Sequence, residues 1–321
     1  MRSELRGWLP HQLRQGAGAL DCRWLYFGNA AFTDPFFEET ISRCLSLPEN
    51  SFAPPRITRL DELPEIANDL DALEPSAFVF HISRCGSTLV SQLLGLDETC
   101  VTLSEVPFFD QLLRARFQPA LAGVDVATLL PAAIRLHAQR RSGAERSLAV
   151  KLDSWHAGFH AELRAMYPRT PFILLYRDPV AVVRSHRKQP GMHAVRGVIE
   201  DAVFGFTPGE CAEVPPRDHL PHVLAFYYET FLALARTDSR TLLVPYQPDM
   251  MPAVESIARF ASIGISAGHR EKMRARAAFH AKRPGENFSE ASPEGVDAVL
   301  AECMERYGAL DRFRASLAAR V

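Results

Sequence analysis

Four short apolar runs, residues 77–82, 147–152, 171–176 and 241–244, each give way to a segment of helical periodicity, at 88–96, 156–167, 179–188 and 251–262. Short strands that lead into helices are not joined as hairpins. They predict an α/β chain with a mostly parallel central sheet flanked by helices. Burial on both faces of such a sheet accounts for near-continuous apolar stretches such as Phe172-Ile173-Leu174-Leu175. Further helices are expected at 107–117, 126–140, 219–236, 269–280 and 293–307. Functional loops in this architecture lie at the carboxyl ends of the strands.

Ahead of that pattern, residues 47–75 concentrate proline (Pro48, Pro54, Pro55, Pro64, Pro75), which breaks regular structure and marks a boundary. The segment before it carries Trp24, Tyr26, Phe27, Phe32, Phe36 and Phe37, enough aromatic surface to dock on a larger body but too little to fold alone. Residues 1–75 are therefore expected to form a small N-terminal extension docked on a main domain at 76–321.

Thirty-six basic against 38 acidic side chains give a formal net charge of −2, so no global field draws the chain to nucleic acid or an anionic membrane. Any anion site must be local. No apolar run approaches the roughly 18 residues of a spanning helix, and the Arg-studded start of the chain lacks a signal-like apolar core, so a cytoplasmic protein is expected. Six cysteines are scattered without a C-x-x-C pair or a histidine at ligand spacing, which predicts reduced thiols and no zinc site.

The sharpest local signal follows the first run, where Ser83-Arg84-Cys85-Gly86-Ser87-Thr88 leads into Leu89-Val90-Ser91-Gln92. A tight turn between strand and helix aims backbone N–H groups and the positive helix end at one point; Gly86 permits close approach, and Ser87 and Thr88 add hydroxyls. A Walker A loop requires glycine where His81 stands and lysine where Ser87 stands. Without that lysine an ATPase or kinase reading weakens, while Arg84 supplies a cation able to span a phosphate. The second signal is Tyr176-Arg177-Asp178-Pro179, in which a buried strand delivers Arg177, Asp178 caps the next helix and Pro179 opens it. Alone, this unit is equally an ion-paired strand–helix corner. Ser185 lies about two turns along that helix.

Together these motifs resemble the sulfotransferase family that uses 3′-phosphoadenosine 5′-phosphosulfate (PAPS), in its bacterial and tyrosylprotein-type branch. Arg84-Cys85-Gly86-Ser87-Thr88 is similar to the family's 5′-phosphosulfate turn, and Arg177 with Ser185 eight residues later to its 3′-phosphate site. Lys151-Leu152-Asp153 and Val244-Pro245-Tyr246 extend the likeness. Cys85 stands where serine is usual and Gln247 where glutamate is common. The resemblance implies a three-layer P-loop fold and an enzyme that moves a sulfuryl group from PAPS, without a metal, to a hydroxyl or amine. It also implies Glu105, within Ser104-Glu105-Val106-Pro107, as general base, Lys151 and Arg84 as stabilising cations, and Asp153 as the rival base.

Lys282 and Arg283, beside Pro284-Gly285, are candidates for a flap over the nucleotide. Phe108, Phe109 and residues 192–216 are expected to wall an acceptor pocket suited to lipids, phenols, peptides or sugars. Cys85, at a helix N-terminus, is expected to have a lowered thiol pKa. His81, His156 and His186 read as structural. Two rival functions stand beside sulfuryl transfer: an ATP-dependent small-molecule kinase and an inactive nucleotide-binding module.

Overall fold

The computed structural model describes residues 5–16, 19–207, 209–277 and 300–318. Strands β1 (Trp8–Gln15), β2 (Leu20–Tyr26) and β3 (Arg56–Arg59) form a small antiparallel sheet in the order β1-β2-β3. None of the three is expected from sequence, because their charged positions mask the alternation and β3 follows directly on Pro54-Pro55. Leu9, Cys22, Trp24 and Leu25 turn inward and are buried. Hydrogen bonds tie this sheet down: Gly7 N–H donates to Gln139 Oε1 (2.9 Å), Gln139 Nε2 to Trp8 O (2.9 Å), and Leu13 N–H to Gln111 Oε1 (2.7 Å). The buried Arg141 donates to Ala30 O (2.8 Å) and stands 4.0 Å over the Phe32 ring.

The main sheet contains β4 (Ala77–His81), β5 (Cys100–Ser104), β6 (Ser147–Lys151), β7 (Phe172–Tyr176) and β8 (Thr241–Pro245). All five run parallel in the order β5-β6-β4-β7-β8, and every residue of β4 to β7 is buried. Four of these strands are legible in the sequence. The edge strand β5, Cys-Val-Thr-Leu-Ser, is not: its polar positions become buried only when the N-terminal extension covers them, Thr102 Oγ1 donating to Phe32 O (3.2 Å).

Helices Ser87–Leu94, Pro107–Leu113, Val126–His137, Pro179–Lys188, Pro216–Thr237 and Met251–Phe260 fall where periodicity places them, with shifted ends. Two depart further. Residues Ser154–Phe159 form a 3-10 turn ahead of the helix His160–Met166, and the last helix, Ala301–Ala318, continues through Gly308. Gly308 reads as a break, yet Tyr307 beside it packs against Tyr228 (5.7 Å between centroids) and Tyr176 (6.1 Å), so tertiary contact overrides propensity. Among the described residues no helix is long and apolar enough to cross a membrane.

The chain leaves β4 toward the β5 edge, returns to β6, then jumps over β4 to β7 and β8. Right-handed crossovers running in opposite directions place their helices on opposite faces, which opens a crevice at the carboxyl end of β4.

Candidate functional site

All five strands of the main sheet end on one cavity of about 480 Å³. Its wall takes Ser83, Arg84, Gly86, Ser87 and Thr88 after β4, Glu105 after β5, Asp153, Ser154 and Trp155 after β6, Arg177 after β7 and Tyr246 after β8. Ser185 and Asp110 face it from helices, Met192 and His193 from the 3-10 turn Met192–Ala194, and Phe36 and Glu38 from the N-terminal extension. Two motifs about 90 residues apart in sequence thus share one space.

Backbone strain concentrates at this cavity. Four non-glycine residues among those described have positive φ, and three of them line it: Ser83 (66°), Arg84 (52°) and Glu105 (56°). Each such conformation costs about 1–2 kcal/mol and persists only where surrounding bonds hold it. Ser83 N–H donates to His81 Nδ1 (3.0 Å), Arg177 Nη1 to Arg84 O (3.0 Å), and Glu105 N–H to Lys151 O (2.8 Å). Gly86 (φ +83°) completes the turn, and a side chain there would meet Tyr246 Cδ2 at 3.3 Å. The N–H groups in the first turn of the helix Ser87–Leu94 have no acceptor within that helix, so turn and helix start form an anion nest.

Arg84 donates through Nη2 to Gln189 O (2.7 Å), but its buried Nε has no partner and it forms no ion pair among the described residues. Burial pulls its pKa down, and the nearby Glu105 charge offsets that only in part. A half-buried cation without a counter-ion is costly unless an anion arrives. Arg177 lies 4.0 Å over the Tyr246 ring, and Tyr228 Oη donates to its carbonyl (2.7 Å). Asp178 caps the next helix by accepting from Ala181 N–H (3.0 Å), as its place before Pro179 predicts.

Glu105 accepts from the Lys151 ammonium, with His81 Nε2 3.3 Å from the same oxygen. Burial pushes this carboxyl up, but Lys151 and His81 more than reverse the effect and hold it well below the usual carboxylate range. His81 itself is kept neutral by burial, its Nε2 also donating to Leu152 O (2.9 Å). The Lys151 side chain is 1% exposed against 19% for Glu105. It stands behind the carboxylate and outside the cavity wall, so its contact with the cavity runs through Glu105.

Asp153 behaves oppositely. Its carboxyl is nine-tenths buried, and that burial, reinforced by the charges of Glu105 and Asp110, holds its pKa well above the ordinary value. Asp110 accepts from Trp155 Nε1 (2.6 Å), His156 Nε2 (2.9 Å) and Arg114 Nη1 (3.0 Å). Ligand atoms of Asp110, Asp153 and His156 lie within 4.8 Å of one another. His156 Nδ1 accepts from Asp153 N–H (3.2 Å) while Nε2 serves Asp110, so the imidazole offers a metal no free lone pair.

Two expectations are overturned. Cys85 is fully buried, its Sγ donating to Leu175 O (3.4 Å), and burial pushes the thiol up to about 11 rather than down. The Ser87 backbone at the helix start does pull the thiol pKa down, but by less than burial raises it. Cys85 in the folded protein is therefore expected to resist iodoacetamide at neutral pH and to react only after denaturation, as mass spectrometry of alkylated peptides will show. Phe108 and Phe109 do not wall the cavity; they are core residues (0% and 2% exposed) whose rings pack on His137, and their neighbours Pro107 and Asp110 face the cavity instead. Lys282 and Arg283 lie outside the described residues.

Met192 and His193 line the cavity from within the expected 192–216 segment, whereas sequence reasoning did not assign Phe36, Glu38, Asp110, Trp155 or Tyr246 to the site. Tyr246 had a signal in its Val-Pro-Tyr segment. The others come from separate elements, with no local pattern to join them.

No family model matches the sequence, and no curated protein matches it. Among solved structures, the chain is similar to a sulfotransferase from Mycobacterium avium (15% identity, 82% of this chain and 80% of that one, TM-score 0.45). It is also similar to the sulfotransferase domain of a Synechococcus olefin synthase (14% identity, 74% and 96%, TM-score 0.45). A mouse sulfotransferase complexed with PAP is a third (12% identity, 78% and 80%, TM-score 0.36). The chemistry of this cavity is carried by its own residues.

Proposed function

We propose that this protein transfers a sulfuryl group from PAPS to an acceptor hydroxyl or amine in the cavity at the strand ends. The observation that carries this reading is the Arg84 guanidinium, without an ion-pair partner among the described residues, set beside a strained anion nest and sharing its cavity with Arg177 and Ser185. Two arginines lining one cavity suit a nucleotide phosphorylated at both the 3′ and 5′ positions of its ribose. The Walker lysine that ATP chemistry would use is absent.

In this reading Arg84, Gly86, Ser87 and Thr88, with the buried Cys85 supporting the turn, hold the 5′-phosphosulfate, and Arg177 and Ser185 hold the 3′-phosphate. As the acceptor oxygen bonds to sulfur, its proton passes to Glu105. The bond from sulfur to the 5′-phosphate oxygen breaks, and the departing phosphate keeps the electron pair, stabilised by Arg84 and the turn's N–H groups. Lys151 acts through Glu105: from behind the carboxylate it keeps that group ionised and oriented to receive the proton. Lys282 and Arg283 are proposed to close over the nucleotide.

Thermal unfolding tests the reading directly. 3′,5′-Adenosine bisphosphate at about a hundredfold excess over its Kd should stabilise the protein by about 2.7 kcal/mol. ATP with magnesium should shift the midpoint less, and a preference for ATP would support the kinase alternative instead.

A further inference from the structure

The cavity is divided by charge. Of its lining groups, Arg84 and Arg177 meet at the turn, Arg177 donating to Arg84 O (3.0 Å), and form the nucleotide half; Asp153, on which the charges of Glu105, Asp110 and Glu38 all bear, marks an acidic half that also takes Trp155, whose Nε1 donates to Asp110 (2.6 Å). The cations near that second half are already engaged: Arg114 pairs with Asp110 (3.0 Å) and Glu200 (2.7 Å), and Lys151 pairs with Glu105. Glu38 forms no ion pair among the described residues, although the helix that carries it, Phe37–Cys44, is anchored by Asn50 Nδ2 donating to Cys44 O (2.8 Å). With a nucleotide polyanion filling the first half, the second keeps an excess of negative charge.

We infer that the acceptor is a hydroxyl compound with an apolar body and a protonated amine, the amine being held by Glu38 of the N-terminal extension. This rests on the sulfuryl-transfer reading of the same cavity. Two further observations point to a ligand of that kind. Asp153, nine-tenths buried, stands in the combined field of Glu105, Asp110 and Glu38, with Lys151 opposing them and His156 Nε2 3.7 Å away, and these carboxyl groups outnumber the cations beside them. His193, 2% exposed on that wall, has an unpartnered Nε2, while its Nδ1 lies 3.1 Å from Ser154 Oγ. A hydroxy-ammonium molecule brings the donors and the charge that this wall lacks. An anionic acceptor would meet repulsion, since the described cations beside this wall, Arg114 and Lys151, are already paired with carboxylates. The exposed Met192 (51%) and the Phe36 ring offer the apolar body its contact.

The test uses the full chain, a labelled sulfuryl donor and matched acceptors on an aromatic and an aliphatic scaffold: tyramine, its uncharged propyl analogue and the corresponding carboxylate, with the equivalent amino, alkyl and carboxyl alcohols. The ammonium members should exceed the neutral ones in kcat/KM by about tenfold or more, with the carboxylates lowest. Glu38→Gln should close the gap between ammonium and neutral members, and Glu38→Lys should invert it, both keeping the thermal shift with 3′,5′-adenosine bisphosphate. Equal or better use of neutral or carboxylate members, or no use of any ammonium member by protein that binds the nucleotide, overturns the inference. Absence of the nucleotide shift in the unsubstituted protein overturns the sulfuryl-transfer reading, and this inference with it.

Discussion

Glu105→Gln is expected to lower sulfuryl transfer by about 10²-fold or more while nucleotide binding is preserved. The amide keeps the shape of the side chain and a hydrogen-bond acceptor for Lys151 but cannot take a proton. The pH dependence separates this base from its rival. Because Lys151 and His81 hold Glu105 below the usual carboxylate range, a Glu105-dependent rate stays level as pH falls through mildly acidic values and drops only when that depressed pKa is crossed. Asp153 is held in the opposite direction, so a rate that depended on ionised Asp153 would climb with pH above the ordinary carboxylate range. A rising profile together with normal turnover by the Glu105→Gln variant would transfer the role of base to Asp153.

The second large effect belongs to the two arginines, and its sign differs between the empty and the loaded protein. Arg84→Met should weaken 3′,5′-adenosine bisphosphate by roughly 10–100-fold, the worth of one or two charge-assisted hydrogen bonds. The ligand-free protein should lose no stability, because the substitution removes a half-buried charge that has no ion-pair partner among the described residues. Arg177→Met should weaken the nucleotide similarly but also lower the unfolding midpoint, since Arg177 donates to Arg84 O (3.0 Å) and packs on Tyr246 (4.0 Å). Calorimetric titration beside thermal unfolding checks both halves. Destabilisation of the empty protein by Arg84→Met would mean that its guanidinium serves the fold.

Much of the arrangement can be read along the chain because its signals are contiguous. A strand, a glycine-bearing turn and a helix start occupy Ala77 to Leu94 without interruption, and Arg177-Asp178-Pro179 carries its own strand exit, cap and helical entry. Where the signal required distant partners it faded. The edge strand β5 hides because Thr102 is polar until Phe32 covers it, and the N-terminal strands hide because charged side chains such as Arg56 and Arg59 interrupt their pattern.

Identity and spacing alone thus determined that a parallel sheet would present an anion nest and a second arginine at its strand ends, since those features depend on local backbone geometry. Tertiary structure decided what those groups do electrically. Burial and through-space charge hold the Glu105 carboxyl below its ordinary range on Lys151, push Asp153 above it among other carboxylates and raise the Cys85 thiol, and the folding of the chain brings Glu38 from the N-terminal extension to the cavity wall. Dielectric environment and long-range proximity are properties of the folded volume, and no stretch of neighbouring residues encodes them.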